Sequence, residues 1–350
     1  MTASALDTLQ APTARLILPP RPTDDLWHTV RAGGLGGSDV AAVLGMDRWK
    51  SPLRVWREKL GLHSDVDSEA AECGRELEDD IARLFARRTG FEIAPSPGTL
   101  AHVDYPWMRV NIDRLVLEPA EAGGTVVVPL ECKNRSEYMA SEWDAGVPDE
   151  PALQGLWAMA VGGWPHAWVA ALIGGNRLRW HRLERDQELI DHLIDYCGRW
   201  WQRHVIDGEP PVPDGSRATA EFLDHLWESQ EGAIAQVDPV RAGRLIARRA
   251  ALKGRIAVLD RELTEVENAM KADLGDAEIA ADLNGRTLYT WRANGTFRAA
   301  DFREQEPELA ARYTRPDGSL DLERLADDAP NTYRRYRARV LRVPAKGPQP

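Results

Sequence analysis

Arg109-Val-Asn-Ile-Asp-Arg-Leu-Val-Leu117 and Thr125-Val-Val-Val-Pro-Leu-Glu-Cys-Lys133 are the two runs whose reading decides the fold. Both are rich in β-branched and aliphatic residues, which suit a pleated, half-buried surface. Between them Glu118-Pro-Ala-Glu-Ala-Gly-Gly124 has the composition of a turn. Paired as an antiparallel hairpin centred near Ala122, they set Asp113 opposite a residue close to Glu131. Strand side chains alternate, so Glu131 and Lys133 leave one face while Leu130 and Cys132 leave the other. One face thus gathers two acids and a lysine. The other, with Val126, Val128, Leu130 and Cys132, is apolar enough for a core, in which Cys132 is a small buried hydrophobe.

Those residue types together point to phosphodiester chemistry. Hydrolysis of a phosphodiester calls for a divalent cation that neutralises developing charge and makes water nucleophilic near neutral pH. Hard oxygen ligands such as Asp113 and Glu131 suit magnesium. A neighbouring lysine orients or deprotonates the water and stabilises the pentavalent phosphate. The same short pattern also fits an exposed cross-strand salt bridge among Asp113, Glu131 and Lys133.

The rest of the 350 residues sets bounds on this reading. With 43% hydrophobic and 28% charged residues the composition is that of a globular protein, long enough for two domains. No apolar run approaches a membrane span. The start lacks a basic segment followed by an apolar one, so a flexible arm in a cytoplasmic protein is expected over residues 1–24. Cys73, Cys132 and Cys197 have no C-x-x-C spacing, which argues against a zinc site or disulfide framework and excludes a four-cysteine cluster. A net charge of −11 does not suggest a nucleic-acid binder, yet a total hides local clusters and carboxylate-lined metal sites add to it.

Residues 25–208 mix helical and strand patterns and form the expected catalytic domain. Gly208-Glu-Pro-Pro-Val-Pro-Asp-Gly-Ser216 opens a linker or crossing segment over 209–236. Leu245, Leu252, Ile256, Leu259, Leu263, Val266 and Met270 fall at spacings of three, four and seven, the stripe of a long amphipathic helix over 237–273, or one arm of a coiled coil. Its first half carries Arg241, Arg244, Arg248, Arg249, Lys253 and Arg255, which is either a solvated face or a phosphate-tracking one. Residues 274–350 form a small module, with strand-like runs around a turn at Asn294-Gly295 and a basic tail from Asn331 to Lys346. Trp157, Trp164, Trp168, Trp180, Trp200 and Trp201 are expected mostly to pack in the core rather than stack on bases.

Four motifs in order carry a resemblance. They are Trp27-His-Thr-Val-Arg31-Ala-Gly-Gly-Leu-Gly-Gly-Ser38-Asp39 with Ala41-Ala-Val-Leu-Gly45; Gly74-Arg-Glu-Leu-Glu78 on a helix ending at Thr89-Gly90; Asp113 with Glu131-Cys-Lys133; and Gln154 on a helix with Trp157 and Met159. Over roughly residues 25–205 the chain resembles the phage lambda exonuclease and YqaJ viral recombinase family. The resemblance implies a PD-(D/E)XK nuclease core of the α/β (α+β) class, a central mixed sheet flanked by helices, and magnesium-dependent 5′-to-3′ digestion of linear double-stranded DNA, with manganese as a substitute metal. It implies that Asp113, Glu131 and Glu78 hold the metal, that Lys133 works on the water, and that Arg31 and Ser38 hold the terminal 5′ phosphate. Family members often carry two glutamines one residue apart; here Gln154 stands in the first place and Leu156 in the second. A single-strand annealing protein is the implied partner, a trimeric ring the implied assembly, and a bacterial cell the setting, with a phage or prophage as the source. Two other functions remain open on the same residues: an endonuclease of restriction or repair type, and a DNA-binding protein without catalysis. The glycines from Gly33 to Gly37 lack the G-K-[ST] of a nucleotide loop and are expected to form a tight turn before a helix from Asp39.

Overall fold

In the computed structural model, which describes residues 9–62, 69–120, 123–227 and 229–344, the chain forms two units, Met1–Gln230 and Glu231–Pro350. In the first unit, β1 (Ala14–Leu18), β3 (Thr99–His102) and β4 (Arg109–Asn111) make a small antiparallel sheet. Beside it runs a five-stranded mixed sheet of order β2-β5-β6-β7-β8. Its strands are β2 (Glu92–Pro95), β5 (Arg114–Pro119), β6 (Thr125–Arg135), β7 (His166–Ile173) and β8 (Arg177–Glu184). Only β6 and β7 are parallel neighbours within it.

The β5–β6 hairpin has the register its spacing predicts, with Arg114 opposite Leu130 and Pro119 opposite Thr125. The run from Arg109 to Leu117, however, is two strands rather than one. β4 ends at Asn111, β5 starts at Arg114, and the chain changes sheets at Ile112 and Asp113. Buried Ile112 anchors that corner and leaves Asp113 at the mouth of the larger sheet.

Alternation along the strands sends side chains into two layers. On one face Val116, Val128, Leu130 and Cys132 pack against Ile81 and Phe85 of helix α4 (Glu69–Thr89). Gly90, at φ +77°, ends that helix as the Thr89-Gly90 pair predicts. On the other face Leu115, Val127 and Ala167 meet Leu153, Leu156 and Trp157 of helix α5 (Asp149–Gly162). Helices α1 (Asp24–Ala32), α2 (Gly37–Val43), α3 (Pro52–Lys59) and α6 (Gln187–Trp200) complete this side. Trp157, Trp164, Trp200 and Trp201 are buried and Trp168 and Trp180 half-buried, so packing accounts for most of the tryptophans.

The expected N-terminal arm and linker both need correcting. From Leu9 onward the N-terminal stretch is no free arm. Leu9 and Ala11 lie in the core, the Trp164 indole donates to the Leu9 carbonyl at 3.2 Å, and β1 pairs with β3; residues 1–8 of the predicted arm lie outside the described residues. The apolar alternation Ala14, Leu16, Leu18 is the strand signal, masked by flanking prolines. The predicted linker over 209–236 contains helix α7 (Arg217–Leu226), whose Ala218 and Phe222 are buried. None of the glycines from Gly33 to Gly37 takes a positive φ. The chain does turn at Gly33 and Gly34 ahead of α2, and the glycines also allow close approach: a Cβ on Gly34 would lie 2.5 Å from the Trp107 carbonyl oxygen, and one on Gly37 would lie 2.9 Å from Gln154 Cγ.

The second unit begins with helix α8 (Pro239–Leu274), and Asp238 caps its first turn. A three-stranded sheet of order β11-β10-β9 follows, from β9 (Ile279–Ala281), β10 (Thr287–Arg292) and β11 (Val340–Arg342). The β9–β10 turn lies at Asp282–Gly285 and not at Asn294-Gly295. Asp282 accepts from the Asn284 and Arg286 amides, and Gly285 takes φ +80°. Gly295 instead packs against Ala338, 2.9 Å from its carbonyl oxygen once a Cβ is added. Phe302, Tyr313, Leu325 and Tyr336 form a small core. The expected basic tail is part of this module: Arg337 donates to the Gly295 carbonyl and Arg339 to the Trp291 carbonyl, while Lys346 lies outside the described residues. Among the described residues no helix is long and apolar enough to cross a membrane.

Candidate active site

β6 and α5 bring the predicted residues to one place. Lys133 Nζ lies 2.6 Å from Glu131 Oε1 and donates to Gln154 Oε1 at 2.8 Å. Gln154 Nε2 donates in turn to Glu131 Oε1 at 2.6 Å. The three side chains close a ring of hydrogen bonds that fixes the lysine. Asp113, at the corner between sheets, accepts from the Cys132 amide at 2.8 Å through Oδ2. That bond ties the aspartate to β6 between Glu131 and Lys133. One turn of the reading is therefore clear: Gln154 belongs to this cluster, whereas Leu156 is buried in the core. Its helix buries most of its residues; Gln154 is the polar group that it presents to the cluster, while Glu150, one turn earlier, pairs with Arg135 of β6 at 2.7 Å.

Glu78 approaches from α4. Its effect is electrostatic: burial, then the Glu131 charge, raise the Glu78 carboxyl above its ordinary range. Burial followed by Glu78 pushes Asp113 up to about 7, and burial followed by Asp113 pushes Glu131 up to about 7. The low dielectric and the neighbouring acids thus make each of these carboxyls harder to ionise than it is in water. Lys133 goes the other way. Its burial opposes the charge, but Glu131, Glu150 and Asp113 outweigh it and keep the ammonium protonated more firmly than usual.

Among the described residues no group of three or more His, Cys, Asp or Glu stands as a ready-made metal cage. The donor chemistry still fits magnesium, which usually takes one or two carboxylates and completes its shell with water and substrate phosphate. Asp113 and Glu131 would supply those oxygens, and their mutual repulsion is what a divalent cation would relieve.

This repulsion has a measurable consequence. Because folding raises both carboxyls from near 4 to about 7, the folded chain binds more protons than the unfolded one between those pH values. Stability from this source is present at low pH and is lost as pH rises through about 7. Magnesium bound there would take over from the protons. It is expected to raise the melting temperature by roughly 3–6 °C at pH 8 and by little at pH 5. Equal rises at both pH values would remove the metal from this cluster.

A second group of residues adjoins the first. Trp27, Arg31, Gly36, Ser38, Asn111 and Gln154 line a cleft that opens to solvent. Arg31 Nη2 lies 3.5 Å from Ser38 Oγ, and its guanidinium lies 5.0 Å from the Trp27 ring. Gln154 thus borders both the cleft and the carboxylate cluster.

Below the cleft lies an ion cluster to which the sequence reading assigns no role. Asp39 is fully buried. It meets Lys59 at 2.6 Å, Lys50 at 3.0 Å and Arg31 at 3.5 Å, and accepts from the Gly36 amide at 2.9 Å. Burial alone would raise its carboxyl, but Lys50, Lys59 and Arg31 overcome that and hold it well below the ordinary range. The partners stand 8, 11 and 20 residues away in sequence, on three different segments. No periodicity connects them.

Comparison with known proteins identifies the family. Residues 26–165 match the YqaJ-like viral recombinase domain. The uncharacterized protein YqaJ of Bacillus subtilis strain 168 is 35% identical over 291 residues, covering 81% of this chain and 89% of that protein. The chain belongs to the YqaJ-like viral recombinase family. Family membership agrees with the resemblance to the YqaJ viral recombinase family noted in the sequence. Among solved structures, an alkaline exonuclease (LHK-Exo) from Laribacter hongkongensis is 17% identical, over 52% of this chain and 93% of that one, with a TM-score of 0.42. A phage related exonuclease from Haemophilus somnus 129PT is 11% identical, over 52% of this chain and all of that one, with a TM-score of 0.37.

Proposed function

We propose that the protein is a divalent-metal-dependent DNA exonuclease that digests linear duplexes in the 5′-to-3′ direction, leaving single strands for an annealing protein in phage-type recombination. The observation that carries this reading is the single cluster in which Asp113, Glu131, Lys133 and Gln154 meet with Glu78 behind them, next to the cleft of Arg31 and Ser38. Its setting would be the cytoplasm of a bacterial cell.

Asp113 and Glu131, supported by Glu78, would hold the cation; magnesium, or manganese in its place, supplies charge neutralisation at the scissile phosphate and a more acidic water. Lys133 acts as a donor. Its ammonium is stabilised by three acids, so it orients the attacking water and stabilises charge on the phosphoryl oxygens rather than removing a proton. Gln154 holds the lysine in position. Arg31 and Ser38 bind the terminal 5′ phosphate, the guanidinium through paired donors and the hydroxyl through one.

The test uses purified full-length protein in magnesium. Linear duplex with 5′-phosphate ends is expected to be degraded from those ends, and supercoiled closed circles are expected to survive. Nicking of the circles would replace the exonuclease with an endonuclease on the same core, and binding without any cleavage would leave a DNA-binding module.

A further inference from the structure

Helix α8 spans 36 residues, about 54 Å, and exposes an apolar stripe along its length. Leu245 (59% exposed), Leu252 (42%), Ile256 (56%), Leu259 (59%), Leu263 (58%) and Val266 (58%) all face solvent, and half-buried Met270 follows. From Leu252 to Met270 the spacings run four, three, four, three, four, the heptad seam of a coiled coil and not the broader stripe of a helix packed on a globular core. A helix this apolar and this exposed is missing a partner.

Charge identifies the partner. The cations Arg241, Arg244, Arg248, Arg249, Lys253 and Arg255 fill the first half of α8, and Asp260, Glu262, Glu265 and Glu267 dominate the second. We propose that α8 pairs with α8 of a second copy of this chain as an antiparallel two-stranded coiled coil. Reversal of direction brings each basic half against an acidic one.

The heptad sets the register. Leu252 packs against Leu263 of the second copy and Ile256 against Leu259, each twice by symmetry, so the centre of the seam is wholly apolar. Arg249, which interrupts the seam, then packs its methylenes beside Val266. In the flanking positions Lys253 faces Asp260 and Arg255 faces Glu262, again twice each. The parallel alternative fails on the same residues. It sets Arg249 against Arg249 inside the seam, Arg248 against Lys253 and Glu262 against Glu267, with Arg255 against Asp260 as its one attractive flanking contact. Opposite charges set orientation in coiled coils, and like charges exclude the wrong pairing.

The test works on the full chain with sedimentation velocity and a distance measurement. Lys253→Glu with Arg255→Glu places four like-charge contacts on the seam and is expected to weaken self-association at least tenfold; Asp260→Lys with Glu262→Arg should do the same. Mixing the two variants restores all four contacts, so a complex as tight as wild type is expected to return. Orientation is read with a spin label at Gly243→Cys in a Cys73→Ser background, since a Cβ at Gly243 meets nothing and Cys73 is the exposed cysteine. Antiparallel pairing puts the two labels about 45 Å apart and parallel pairing about 20 Å. Label separations near 20 Å, no coupling between labels, or association unchanged by the charge reversals would each overturn the proposal. Loss of DNA affinity in the Lys253→Glu, Arg255→Glu variant with self-association intact would assign the stripe's basic half to DNA instead.

Discussion

Lys133→Ala is expected to lower the cleavage rate by about 10³-fold or more while leaving DNA affinity, measured in calcium, within about twofold of wild type. The loss follows from geometry. Lys133 is the cation held between Glu131 and Gln154 beside the two acids, so it is the donor available where charge develops on the phosphate. Magnesium affinity gives a second readout that separates chemistry from misfolding. Removing the ammonium takes a competing positive charge away from Glu131, and the acids then repel one another more strongly. Metal binding in the variant is therefore expected to hold or tighten. Retention of a tenth or more of wild-type turnover would remove Lys133 from the reaction, and weakened metal binding would mean that the lysine organises the acids instead.

The second large effect lies outside that cluster. Asp39→Ala is expected to destabilise the protein by about 3–5 kcal/mol in denaturant melts, because it strands the Lys59 ammonium in the interior. The Lys59 side chain is 1% exposed, and besides Asp39 it donates to the Arg31 carbonyl at 3.0 Å. Burial already pulls the Lys59 ammonium down, with Asp39 as the leading opposing influence. Asp39→Asn retains the shape and the Gly36 contact but not the charge, so most of the loss should persist. Replacing Lys59 by Met in the Asp39→Ala background removes the stranded charge and should recover a large part of it. A loss below about 1 kcal/mol in Asp39→Ala would mean that Lys50 and Lys59 find other compensation through Glu58 and water. Because Asp39 also pairs with Arg31, the same variant should blur the preference for phosphorylated ends that the proposed function implies.

The site was legible to different depths. Glu131 and Lys133 can be assigned to one face because a strand has period two, and Asp113 can be set near them because a hairpin pairs residues symmetrically about its turn. Both inferences are local. Glu78 is different, since its helix pattern places it at the edge of the buried stripe no more clearly than Asp80 places itself at the other edge. The resemblance, not periodicity, selected it. Gln154 sits on a helix buried on nearly all sides, where a hydrophobic pattern has no polar face to point with. The C-terminal hairpin was misplaced for a related reason: Asn294-Gly295 and Asn284-Gly285 carry the same turn signal, and only the pairing of β10 with β9 distinguishes them.

By itself, then, the amino-acid order determined the pairing of the two central runs, their alternation and register, and the long helix with its stripe, because each depends on residues close together in the chain. Tertiary structure decided which acids share a cavity, that the chain from Leu9 joins the core, and that Asp39 gathers cations from three segments. Those outcomes depend on burial, and burial sets both the strength of an electrostatic contact and the cost of leaving it unmade.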